Sequence, residues 1–133
     1  MWKKGLIAGF SILVTAMTFN WLSEAVIPGL AKEYQNISIF RPWNDPIMML
    51  YFVYPFILGF VLQKFWELIQ NKLSGKGIQK VFEFTKLYFV IATIPGMFIS
   101  YSSFQVSLAM ILSWTVGGFI QTFAAGYIFA TIK

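Results

Sequence analysis

Three sets of polar side chains interrupt runs that are otherwise apolar. Polar groups inside lipid are costly, so they are the first place to look for chemistry. Asn20, Ser23 and Glu24 are spaced three and four apart, which puts them on one face of a helix. A carboxylate half removed from water there would hold a cation or a proton. The plainer alternative outweighs it: Glu24 meets Lys32 or Arg41 from the following loop, and Asn20 bonds across helices. The second set is Lys64, Glu67, Glu83 and Lys86, placed symmetrically about Gly75. In a hairpin turning at Gly75 the like residues fall at matching depths. Two carboxylates at one level would share a proton or bind a cation. Read structurally, the same four residues form a compensated ionic network at the membrane interface, lysine stems reaching for the headgroups, and this reading is preferred.

The third set is a helix surface. Gly118, Thr122, Gly126 and Ala130 recur every four residues, beside a stripe of Ser113, Gly117, Gln121 and Ala125. Small residues at this interval let helix backbones approach where lipid supplies no hydrophobic drive between them. Gln121 would lie near the middle of its helix and need a cross-helix partner. The partner helix is expected either within the chain or in a second copy.

Four apolar segments carry these groups, over residues 5–27, 46–70, 78–99 and 104–132, each near the roughly 20 residues that cross a bilayer. Pro28-Gly29 closes the first. Asn44-Asp45-Pro46 reads as an N-cap with proline at the first helical position of the second. Pro95-Gly96 is expected to kink or end the third. Residues 28–45 form the one long loop, and short turns follow at 73–77 and 101–103. Short connections predict antiparallel neighbours, with the second, third and fourth helices side by side in chain order. The fold class predicted is an all-α, up-down-up-down four-helix membrane bundle, one domain over residues 1–133.

Composition agrees. The 133 residues are 58% hydrophobic and only 11% charged, against about 25% charged in soluble domains. Cysteine and histidine are absent, which removes disulfides, thiolate or imidazole metal ligands and Cys or His catalysis. No cofactor, metal site or catalytic residue is expected, and the protein is read as a non-enzyme.

The net charge of +5 is spread among membrane segments, so nucleic acid is not an expected partner. Of ten basic residues, Lys3, Lys4, Lys64, Lys72, Lys76, Lys80, Lys86 and Lys133 fall on one side of the spans, Lys32 and Arg41 on the other. Basic residues stay cytoplasmic. Both termini are therefore expected inside a bacterial inner membrane, and the long loop outside.

Trp114, Gly117-Gly118, Gln121 and Gly126, closing a chain of four spans, resemble the last helix of small bacterial four-helix membrane proteins that carry no assigned activity. The resemblance implies the fold and brings no function. From the residues alone, the expected role is a packing, assembly or accessory module in the bilayer, alone as a homo-oligomer or with another membrane protein. The alternative is a small oligomeric transporter of ions or solutes that uses its membrane carboxylates.

Overall fold

The computed structural model describes residues 2–133; residue 1 of the expected domain lies outside them. Helix α1 (Trp2–Val26) ends before Pro28-Gly29, and Gly29, at φ +81°, starts the short helix α2 (Leu30–Tyr34). Asp45 caps the next span as expected, its carboxylate accepting from the Ile47 N–H at 3.0 Å with Pro46 at the first position. That span opens as a 3-10 helix (Pro46–Phe52) before α3 (Tyr54–Ile69). Pro55 is the cause. It has no N–H to give to a carbonyl one turn back, and the Phe56 N–H bonds Val53 three residues away instead, at 3.1 Å.

The third span comprises α4 (Ile78–Tyr88), a π-helical turn (Phe89–Thr93) and α5 (Ile94–Ser103). Pro95 does not end the helix. The chain takes one wide turn before it, the Ile94 N–H reaching back five residues to Phe89, and stays helical to Ser103 rather than 99. The last helix, α6 (Leu108–Thr131), starts later than 104 because Ser107 caps it, its hydroxyl accepting from the Met110 N–H at 3.1 Å. Gly75 and Gly77 make the turn after α3 with φ of +83° and +55°, a region that a Cβ disfavours.

Four helical stretches, Trp2–Val26, Pro46–Ile69, Ile78–Ser103 and Leu108–Thr131, are long and apolar enough to cross a membrane. Their outward faces are apolar too: Leu6, Phe10, Val14 and Met17 on α1, and Leu112, Val116 and Ile120 on α6, are exposed.

Packing departs from chain order. Helix α1 packs on α3 and α6, and α6 packs on α4. The closest crossing is α1 on α3, where Gly5 and Gly9 face Gly59; a Cβ at Gly59 would stand 2.6 Å from the Gly5 oxygen and the Gly9 nitrogen. On α6, Gly117 faces Phe19, Gly118 faces Thr93, and Gly126 faces Val81 and Phe84. Helices α1 and α3 run in opposite directions, since Gly9 meets Phe56 and Gly5 meets Phe60. Of the expected side-by-side order of the second, third and fourth helices, the third and fourth are neighbours, but the second and third do not close on each other. Although a short turn joins α3 to α4, their backbones make no comparable approach, and their seam is filled by Phe65 and Trp66 against Phe84. A turn constrains only the helix ends, whereas glycine faces decide which backbones can close on each other.

The core divides in two. At the end holding the Gly75 turn and the termini, Ala8, Ile12, Leu62, Trp66, Phe84 and Phe129 pack into a dense layer. At the other end Leu30, Val106, Met110 and Ile111 pack beneath the long loop. Lys3, Lys4 and Lys133 gather with Gln63 and Glu67 around a small hollow at the turn end, so the two chain ends lie together.

A candidate solute cavity at the loop end

A cavity of about 920 Å³ enters the bundle at the loop end. Its walls come from each long element: Ala16, Asn20 and Glu24 on α1, Tyr54 and Leu58 on α3, Tyr88 and Thr93 on the third span, and Trp114, Gly118 and Gln121 on α6. Tyr34, Phe40, Arg41 and Trp43 of the loop form the rim. Gln121 lies thirteen residues into α6 from Leu108, about 20 Å down the axis at 1.5 Å per residue. The space therefore reaches the middle of the bundle. There Ile12, Leu58 and Thr122 form the floor, and the buried Leu62, Trp66, Phe84 and Phe129 close the way beyond.

Two features of the backbone make room for it. The π turn carries Ala92 and Thr93 into the wall, and such wide turns occur often at functional sites. The lack of close approach between α3 and α4 leaves the space itself, which aromatic side chains fill only at the turn end.

The first polar set divides. Asn20 and Glu24 both line the cavity, with the Asn20 amide donating to Glu24 Oε1 at 3.0 Å. Ser23 is buried elsewhere and is no part of the wall. Glu24 does not pair with Lys32 or Arg41. The Arg41 guanidinium bonds Asp45 Oδ2 at 2.9 Å, a partner four residues away whose loop costs little to close. Among the described residues Glu24 has no ion pair, and Asn20 bonds within its own helix rather than across helices.

Tyr34 closes one side. Its hydroxyl accepts from Trp114 Nε1 at 2.5 Å, and Phe40 packs on both rings. Burial pushes the Tyr34 phenol above its ordinary range, the Trp114 bond opposes this, and the Glu24 and Glu33 carboxylates add to the rise. The phenol thus keeps its proton near neutral pH. Glu33, on the same short helix, clamps the loop to α6 by accepting from the Ser107 N–H at 2.7 Å and the Ser107 hydroxyl at 2.6 Å.

The second polar set does not become a network. Lys64 pairs with Glu67 at 3.0 Å and Lys86 with Glu83 at 2.6 Å, each within one helix, and among the described residues no ion pair joins α3 to α4. Phe65, Trp66 and Phe84 occupy the seam, and at 3.6 residues per turn their charged neighbours point away from it. Glu67 has instead a second partner on its own helix, the Gln63 amide at 2.8 Å.

The third set is used inside the chain. Gly117, Thr122, Ala125 and Gly126 are buried, and the Thr122 hydroxyl bonds the Gly118 carbonyl at 2.9 Å. Ala130 is exposed. Gln121 was expected to bond across helices; among the described residues its amide has no hydrogen-bond partner and opens into the cavity.

Two features escaped the sequence reading. The Gly5-x-x-x-Gly9 pair matches a close-packing motif in α1, outside the small-residue stripes of α6. The clamp from Glu33 to Ser107 joins residues 74 apart, and no local pattern announces it. Among the described residues no group of carboxylates is arranged to hold a metal ion. Neither protein-family models, nor curated proteins, nor solved structures give a match to this chain.

Proposed function

We propose that this is a non-enzymatic bacterial inner-membrane protein that binds a small amphipathic solute from the extracytoplasmic side. In this reading the helices stand up-down-up-down, with both termini and the Gly75 turn in the cytoplasm. Support for the orientation is the lysine distribution together with the meeting of Lys3, Lys4 and Lys133 at one end. Basic residues are retained on the cytoplasmic side, which leaves the cavity mouth outside.

One observation carries the solute reading: a cavity of about 920 Å³ that runs from the loop end to the middle of the bundle and stops at packed aromatic rings. Ligand sites are commonly 300–1,000 Å³, mostly apolar, with a few placed polar groups. The walls fit that description, apolar or aromatic for the most part with Asn20, Glu24, Thr93 and Gln121 among them. The sealed turn end suits a binding site, or one state of a carrier, better than an open channel. The glycine stripe of α6, which spoke for assembly with a partner, is spent on Phe19, Thr93 and Phe84 of the same chain.

Two experiments test this. A green fluorescent protein fused to the C-terminus should fluoresce, and a dark fusion with an active periplasmic reporter at the same place would reverse the orientation. Native mass spectrometry of the detergent-purified protein against benzyl-bearing cations, neutral molecules and anions should find at least one bound species. Ala16→Trp, which fills the cavity from its wall, should abolish that binding without lowering thermal stability. Binding unchanged by Ala16→Trp would place the ligand elsewhere.

A further inference from the structure

The chemistry of the cavity wall narrows the solute further, and this step rests on the solute-binding reading above. Among the described residues two charged side chains line the space, Glu24 and Arg41. They are not equivalent. Arg41 is neutralised by Asp45 at 2.9 Å, whereas Glu24 is held in place by the Asn20 amide on one oxygen. Among the described residues no cation stands against it. The charge left unbalanced inside the cavity is therefore negative.

Aromatic rings share the cavity with that charge: Tyr34, Trp43 and Tyr51 line it with Glu24, and Tyr51 meets Trp43 edge to face at 5.5 Å. Ring faces attract cations through their quadrupole, more strongly where water is excluded. A metal ion would need several oxygen ligands, and no such group of carboxylates exists among the described residues. An inorganic anion would find its only basic partner already engaged. A neutral solute would leave the carboxylate unbalanced in a half-dry site, which carries an energetic cost.

We infer that the cavity takes a monovalent organic cation, an ammonium group with an apolar body. In this arrangement the cationic head sits between Glu24 and the faces of Tyr51 and Trp43. The apolar body lies deeper, towards Leu58 and Ile12. The Asn20 amide fixes the carboxylate so that its second oxygen faces the ligand.

Equilibrium dialysis of the purified full chain tests this with three single-ring probes: benzyltrimethylammonium, its uncharged carbon isostere neopentylbenzene, and the anion benzenesulfonate. The cation should bind at least tenfold more tightly than either of the others. Glu24→Gln should weaken the cation at least tenfold and leave neopentylbenzene unchanged. Tyr51→Leu, which removes a ring and no charge, should weaken the cation several-fold, so the inference stays testable if the Glu24 variant fails to fold.

Equal binding of cation and neutral isostere, both lost in Ala16→Trp, would overturn the cation assignment and leave the solute cavity standing. Tighter binding of benzenesulfonate would overturn it in favour of Arg41. Absence of binding by all three probes would overturn the cation assignment and count against the cavity reading as well.

Discussion

Gly59→Ala is the sharpest test of how the bundle is held together. The new methyl would stand 2.6 Å from the Gly5 oxygen and the Gly9 nitrogen, and 2.9 Å from the Gly9 Cα. All three atoms are backbone, so no side chain can swing aside. Relief requires α1 and α3 to separate by about 0.8 Å locally, from 2.6 Å to the 3.4 Å where ordinary contact begins. Overpacking of this kind costs about 1–3 kcal/mol, offset by up to about 1 kcal/mol of helix propensity gained on replacing glycine. A net loss of about 1–2 kcal/mol is expected. Gly96→Ala supplies the control: it is also helical, and its added Cβ meets nothing within 4 Å. That variant should be neutral or slightly stabilised. Reversible unfolding in mixed micelles titrated with sodium dodecyl sulfate would measure both. Equal effects of the two substitutions would refute the claim that α1 and α3 are in tight backbone contact.

Other perturbations have expected outcomes. A Cβ at Gly126 would meet side-chain atoms of Val81 and Phe84 at 3.1 Å rather than backbone at 2.6 Å, so Gly126→Ala should cost less than Gly59→Ala in the same assay. Glu33→Ala should free the loop from α6, lowering stability by about 1 kcal/mol through loss of its hydrogen bonds to Ser107, and speeding amide exchange at Ser107. The Ile47 N–H first, and Arg41 second, hold the Asp45 carboxyl below its usual range. Its contribution is therefore complete above that range and fades as pH falls through the lowered value; the acid limb of the stability profile should flatten in Asp45→Ala. Glu67→Gln and Glu83→Gln should be additive in the double variant, since their partners are separate; marked coupling would show that the two pairs communicate.

The legible part of the site follows a pattern. Asn20 and Glu24 were found because polar residues within an apolar run are conspicuous, and their helical spacing put both on one face. Their surroundings differ from the expectation: neither Lys32 nor Arg41 neutralises Glu24, and Arg41 bonds Asp45, which lies nearer along the chain. The symmetry of Lys64, Glu67, Glu83 and Lys86 about Gly75 was real in sequence, yet symmetry in depth does not control rotation about the helix axis. Phe65, Trp66 and Phe84 took the seam. Gln121 was rightly placed near the middle of its helix; whether protein or a cavity would meet it depends on helices distant in the chain.

By itself the amino-acid sequence determined that four helices are long and apolar enough to cross a membrane, their rough limits, the break at Pro28-Gly29 and the cap at Asp45. These follow from local forces: apolar runs of bilayer length, backbone groups that must bond within their own segment, and residues with restricted backbone freedom. Tertiary structure alone decided that α1 packs on α3, that α6 packs between α1 and α4, and that a cavity opens where α3 and α4 fail to close. Helix pairing in an apolar medium depends on how closely two surfaces can fit, and that is a property of pairs of faces, which no single segment carries.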